Sequence, residues 1–227
     1  MFEVGPCMEA LKRDDNWQFV FTGVGGVHTT YVMMKAIEKA RPDIMIQAGI
    51  AGSMHKQMKL GTVAVAGSDC FGDLGVIEDK KRRSVFDLNL LQSNRRPYKD
   101  GKLVNPHRKL LKAASLPIVD AVTVNEVTTA KADIAYYKDE LNTAIESMEG
   151  AAFHYVALLE KIPFVQMRGI SNYAGERNKD NWRIKEAITN LNIEVLKFIQ
   201  RMTIGNIKLP IRSGRVRTHS EEIKGAL

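Results

Sequence analysis

The sequence predicts one α/β domain, and three observations carry that expectation. Apolar runs with strand character alternate with segments whose apolar residues recur at helical spacing. Three of the strand-like runs lead into glycine-containing junctions, at Gly23–Gly26, Gly49–Gly52 and Gly169. Along 227 residues there is no internal repeat and no linker-like stretch, so a single core is expected. The domain is expected over 1–206, and residues 207–227 read as a basic tail.

Trp17–Phe21 reads as a strand ending in Thr22-Gly23-Val24-Gly25-Gly26. A helix from Thr29 to Ala40 follows, with Tyr31, Val32, Met34, Ala36 and Ile37 as its expected buried face. Pro42-Asp43 punctuates it. Ile44–Ala48 is expected as a second, buried strand that ends in the turn Gly49-Ile50-Ala51-Gly52-Ser53, and Val63–Gly67 as a third. Asp79–Arg83 is a charge run expected in a solvated loop, and Asn94–Gly101 is rich in polar and turn residues. His107–Ala114 reads as a short helix and Ile118–Val124 as a β-branched strand. Ser147–Glu160 is expected as a helix with Ala151, Ala152, Val156 and Leu159 inward. Pro163–Met167 reads as a strand, and Trp182–Met202 as a long amphipathic helix burying Ile184, Ile188, Leu191, Val195, Leu196 and Ile199.

The composition is that of a soluble globular chain: 44% hydrophobic and 26% charged. No apolar run approaches the roughly 18 residues of a membrane span, and no signal peptide opens the sequence. Cys7 and Cys70 lie far apart without CxxC spacing and read as reduced thiols of a cytoplasmic protein. They form no metal site with the scattered histidines, so no metal or cofactor is expected. Of the net charge of +7, residues 207–227 hold +3, from five basic residues against Glu221 and Glu222. Without aromatic residues between the charges, this tail does not read as a nucleic-acid site.

Two junctions carry chemistry. Glu146-Ser147-Met148-Glu149-Gly150-Ala151-Ala152 sets a carboxylate beside small residues at a helix start. Arg168-Gly169-Ile170-Ser171-Asn172 follows the Pro163–Met167 strand with a polar pair. Open α/β sheets bind ligands at such strand ends. A carboxylate there can accept hydrogen bonds from a ribose diol, and a carboxamide can read a purine edge. The plainer alternatives are a helix-dipole acid for Glu149 and a turn cap for Asn172. The glycine turn at Gly23–Gly26 is neither a dinucleotide fingerprint nor a P-loop.

Taken with Thr22-Gly23-Val24-Gly25 and Gln47-Ala48-Gly49-Ile50-Ala51-Gly52, these two motifs resemble the successive motifs of the nucleoside phosphorylase and nucleosidase superfamily, from about Phe19 to the end of the last helix. Gly72-Asp73-Leu74-Gly75-Val76 and Ser171–Arg177, followed by Trp182, resemble its futalosine hydrolase branch, nucleosidases of menaquinone biosynthesis. The resemblance implies a three-layer α/β/α domain around a central mixed, twisted sheet. It implies a purine nucleoside substrate, with Glu149 on the ribose hydroxyls, Met148 against the sugar and Asn172 on the departing base. Related methylthioadenosine/adenosylhomocysteine nucleosidases carry aspartate at the position of Asn172. A carboxylate accepts from a 6-amino group and repels a 6-oxo group, whereas a carboxamide can donate to the latter, so Asn172 favours hypoxanthine. Gly25 is expected near the ligand, Arg168 in a supporting ion pair, and Tyr173 and Trp182 along the pocket or in packing. Ile50 stands where some relatives carry a hydroxyl.

The same resemblance implies a water-activating glutamate just after a first strand near the N-terminus. Thr22 is reached after only 21 residues, so that strand is expected to be missing, and Glu9 is the only tempting substitute. Three alternatives stay open: hydrolysis, phosphorolysis with Arg82 or Arg83 at an anion site, and a nucleoside-binding protein impaired in turnover. A homodimer or larger homo-oligomer is expected, with Cys70–Ile77 as the segment offered to a neighbour.

Overall fold

A computed structural model of the chain describes residues 16–79 and 81–204. Glu9, Cys7 and the basic tail lie outside the described residues. Among the described residues the first regular element is helix α1 (Gly26–Lys39). Its buried residues are Thr29, Met33 and Ile37, while Tyr31 faces solvent, so the buried stripe is rotated from the expected one. Trp17–Phe21 forms no strand. The segment is irregular, and Trp17 packs against the core under the last helix.

Strands β1 (Met45–Ser53) and β2 (Val63–Asp69) follow, then a hairpin of β3 (Gly75–Glu78) and β4 (Lys81–Ser84). The charge run expected as a loop therefore supplies the second arm of this hairpin. Next come β5 (Leu103–Val104), α2 (Arg108–Ala113) and β6 (Ile118–Thr123). Helix α3 (Lys131–Ala135) continues as a π-turn over Tyr136–Glu140. The described residues end with β7 (Ile145–Ser147), α4 (Gly150–Glu160), β8 (Phe164–Tyr173) and α5 (Ile184–Ile204).

Among the described residues six strands form a mixed sheet in the order β5-β2-β6-β7-β1-β8. β2, β6 and β7 run one way, and β1 and β8 the other. The sheet curls until β8 also pairs with β2, so its twist closes on itself. Alternate residues of β8 feed opposite cores, as a period of two requires. Phe164 packs with Met33, Ile37, Phe153 and Val156, which seals α1 and α4 to one face. Val165 and Met167 pack with Leu110, Leu191, Val195 and Phe198, which seals α2 and α5 to the other. This is the three-layer arrangement.

Two expected boundaries move in a way that matters for the site. The glycines from Gly49 to Gly52 do not form a turn after β1; they lie within it. Likewise Arg168–Asn172 belong to β8. The helix expected from Ser147 starts at Gly150, because Ile145–Ser147 pair with β6 and β1. Leu159 is exposed rather than buried.

Candidate active site

Glu149 sits between the end of β7 and the start of α4, at the N-cap position. An N-cap carboxylate ordinarily accepts from its own helix's first-turn amides, but Glu149 makes no such bond. Its Oε1 accepts from the Gly25 amide at 3.1 Å, and its Oε2 lies 3.4 Å from Arg168 Nη1. Gly25 has φ near 91°, a conformation glycine adopts freely, and no atom lies within 4 Å of where a Cβ would stand. The sequence turn Gly23–Gly26 thus presents an amide to a carboxylate 124 residues away.

Arg168 is 3% exposed. Its Nη2 donates to Gln47 Oε1 at 2.9 Å, and Nη1 also approaches the Ile50 carbonyl at 3.5 Å. A Cβ at position 49 would run into Nη1, so Gly49 is the space in which the guanidinium lies. Burial pulls the Arg168 pKa down, and Glu149 and Asp69 oppose that shift. The expected supporting ion pair is present, and Gln47 is its unforeseen third member.

Asn172 lies at the other end of β1. The β1–β8 register slips by one residue between Ala51 and Gly52, so that Ala51 faces Ile170 while Gly52 faces Asn172. Ser171 is the extra residue of this bulge, and such bulges re-aim side chains. Its hydroxyl donates to Asn172 Oδ1 at 2.8 Å, and Asn172 Nδ2 donates to the Tyr173 carbonyl at 3.0 Å. Gly52 makes room beside Nδ2. Glu149 reaches β1 at Gly49 through Arg168, and Asn172 reaches it at Gly52. Three strand residues separate these points by about 10 Å, the scale of a sugar plus a base.

The remaining residues singled out from the sequence have varied surroundings. Met148 is half-buried beside Glu149, and Ile50 is half-buried in β1. The Tyr173 hydroxyl donates to the Lys56 carbonyl at 3.2 Å. Trp182 donates from its indole to the Glu176 carbonyl and lies under Arg177. It lines a surface cavity of about 390 Å³ with Arg183, Lys185, Glu186 and Asn190. This segment is tethered to the bulge, because the Arg183 amide donates to the Ser171 carbonyl at 2.7 Å. Arg82 and Arg83 are each engaged in ion pairs, with Asp133 and Glu78.

A buried polar cluster behind α4 escaped the sequence reading. Asp69, at the end of β2, accepts from the Thr123 hydroxyl at 2.9 Å, and that hydroxyl accepts from the Ala151 amide at 2.7 Å. The Gln166 carboxamide faces Asp69 on one side and His154 on the other, without closing a direct hydrogen bond to either. Burial raises Asp69 to about 6 and lowers His154 to about 4. The His154 Nδ1 lies 2.8 Å from the Leu103 carbonyl, which can only accept, so that nitrogen carries the proton of the neutral ring. The available signal was a carboxylate closing an apolar strand, Val63–Asp69, where a charge is costly unless paired. Elsewhere, burial also raises Glu146, which accepts from Thr128. Among the described residues no cluster of three or more metal-ligating side chains is found, and no helix is long and apolar enough to cross a membrane.

Residues 19–202 match the Phosphorylase superfamily, and the chain belongs to that family. It is 28% identical over 198 residues to a futalosine hydrolase of Streptomyces coelicolor, covering 85% of this chain and 82% of that one. It is 26% identical to a futalosine hydrolase of Thermus thermophilus, over 76% of each chain. A 5'-methylthioadenosine/S-adenosylhomocysteine nucleosidase of Exiguobacterium is also 26% identical, over 80% of this chain and 77% of that one. The fold is shared with the solved structure of such a nucleosidase from Colwellia psychrerythraea in complex with adenine (TM-score 0.66, 22% identity, 79% and 76% coverage). It is shared equally with native futalosine hydrolase of Helicobacter pylori (TM-score 0.66, 17% identity, 79% and 77% coverage).

Proposed function

We propose that the protein is a purine nucleosidase that hydrolyses the N-glycosidic bond of a 6-oxopurine nucleoside of the futalosine type, releasing hypoxanthine. The observation that carries this reading is the state of Asn172. Its Oδ1 is taken by the Ser171 hydroxyl and one Nδ2 hydrogen by the Tyr173 carbonyl. The second Nδ2 hydrogen is left to donate to a ligand. A donor suits the carbonyl edge of hypoxanthine and stabilises charge building on the departing base.

Glu149 is the proposed ribose anchor. Its carboxylate is held by one amide and one guanidinium, which leaves lone pairs for a diol. A negative charge there also favours a sugar acquiring oxocarbenium character. Relatives named as futalosine hydrolases in Streptomyces coelicolor and Thermus thermophilus support the reading.

The relatives named as methylthioadenosine/adenosylhomocysteine nucleosidases support a second reading, in which adenine is the leaving base. Incubation with futalosine and with methylthioadenosine, followed by chromatography of the free base, separates the two. The first reading expects hypoxanthine above a Glu149→Ala control, and adenine release alone would refute it. Phosphorolysis receives no support from Arg82 or Arg83, since both are engaged with carboxylates. Dependence of turnover on added phosphate is its test. We further propose a cytoplasmic homo-oligomer in which Leu74 and Ile77, exposed around the β3 arm, meet a neighbour. Light scattering on the purified chain, with Ile77→Asp as comparison, tests this.

A further inference from the structure

We propose that Asp69 and Thr123 are positioning residues that hold Glu149 in its ligand-facing orientation by capping helix α4 in its place; the inference rests on reading Glu149 as the ribose anchor. The first-turn amides of a helix need acceptors, and a carboxylate at the N-cap is among the best available. Glu149 is therefore in competition with itself. It can turn back onto the amides of α4, or it can point at Gly25, Arg168 and a ligand.

At the Ala151 amide the structure supplies another acceptor. The Ala151 amide, the second of the helix, is taken by Thr123 Oγ1 at 2.7 Å. The Gly150 amide, the first, is taken by Ser147 Oγ at 3.3 Å. A hydroxyl has a single proton, and Thr123 gives its own to Asp69 Oδ1 at 2.9 Å. That donation aims the oxygen lone pairs at the Ala151 amide. Asp69 is fully buried and packs against the α4 backbone at the residue after Glu149: a Cβ on Gly150 would strike both Asp69 Oδ2 and Gln166 Nε2. Buried negative charge at this helix start is itself favourable. It also attracts Arg168, the cation that holds Glu149 from the other side.

Removing the Thr123 hydroxyl frees the Ala151 amide, and Glu149 becomes its best acceptor. The carboxylate then withdraws from the ribose position while the base end of the site is untouched. The test uses the full chain and two probes: inosine, which carries ribose and base, and hypoxanthine, which is base alone. Titration calorimetry should show inosine binding weakened about tenfold in Thr123→Val, the scale of one lost cap interaction. Hypoxanthine affinity should stay unchanged, and Thr123→Ser should restore inosine binding. Hydrogen exchange at the Ala151 amide should quicken in Thr123→Val and not in Thr123→Ser.

Equal loss of inosine and hypoxanthine affinity in Thr123→Val would mean general damage to the site and would overturn the proposal. So would wild-type inosine affinity together with wild-type exchange. If the wild type binds neither probe, the nucleoside reading fails, and the Ala151 exchange rates alone decide whether Thr123 caps α4. If Thr123→Val does not fold, Asp69→Asn carries the same measurements. It loses the charge that orients the hydroxyl and is expected to weaken inosine selectively. Unchanged inosine affinity in that variant contradicts the account.

Discussion

At Gly49 a single missing Cβ decides whether Arg168 can reach Glu149. A methyl there would occupy the guanidinium's place, and Arg168 is buried too deeply to be solvated elsewhere. Gly49→Ala should therefore weaken inosine binding by about tenfold or more, through loss of the group that holds Glu149. Calorimetric titration checks this, and an unchanged affinity would show that Arg168 is dispensable for the anchor. The proposed role of Asn172 in base preference follows the same kind of local logic. Asn172→Asp exchanges a donor for an acceptor and should move the ratio of adenine to hypoxanthine release upward by about a hundredfold. Competition between methylthioadenosine and futalosine reads that ratio. These residues were legible in the sequence because their chemistry sits in short motifs. Gln47 and Asp69 were not, because each acts through a partner that is distant in sequence: Arg168 for one, Thr123 for the other.

Elements were legible where one period dominated. The long last helix and the β1, β2 and β6 runs appear close to their expected places. Trp17–Phe21 failed as a strand: its apolar residues read as a pleat, but the segment has no ladder partners and Trp17 packs, half-buried, against the core that α5 covers. The Asp79–Arg83 charge run failed as a loop because the register of the β3–β4 hairpin pairs Ile77 with Arg82 and Glu78 with Lys81. Glycine was the most ambiguous signal. Gly169 reads as a junction after a strand, yet it lies within β8 and serves packing: a Cβ there would lie 2.5 Å from the Ala187 carbonyl of α5. Gly169→Ala must push α5 off β8, and overpacking of this kind costs about 1–3 kcal/mol. Urea unfolding of the variant checks the figure, and wild-type stability would show that α5 yields without cost.

Across the whole molecule, two buried groups with opposite pH preferences lie either side of Gln166. Asp69 rises from an ordinary value of 3.8 to about 6 in the folded chain, with Arg168 and Cys70 around it. The unfolded chain therefore binds fewer protons there between about pH 4 and 6, and this contribution to stability falls as pH rises. His154 drops from 6.5 to about 4, so its contribution is lost as pH falls through the same window. The two slopes oppose each other in the wild type. Asp69→Asn should leave the histidine term alone, so that relative to wild type stability drops more steeply from pH 6.5 to 4.5, by up to about 1.4 kcal/mol per pH unit. Urea midpoints of both proteins at the two pH values provide the comparison. Identical profiles would show that Asp69 does not titrate in this range.

The curled sheet joins the three scales. Because β7 and β8 run in opposite directions on either side of β1, Glu149 and Asn172 approach one strand from its two flanks. The Gly49–Gly52 segment between them becomes the floor on which sugar and base would lie. That arrangement suits a nucleoside, the Asn172 donor is the basis for expecting a 6-oxopurine base, and one competition assay tests the proposal most directly. With futalosine and methylthioadenosine at equal concentration, the account expects hypoxanthine to appear at least about a hundredfold faster than adenine, and Glu149→Ala to abolish it. Adenine appearing first, with little or no hypoxanthine, would contradict it.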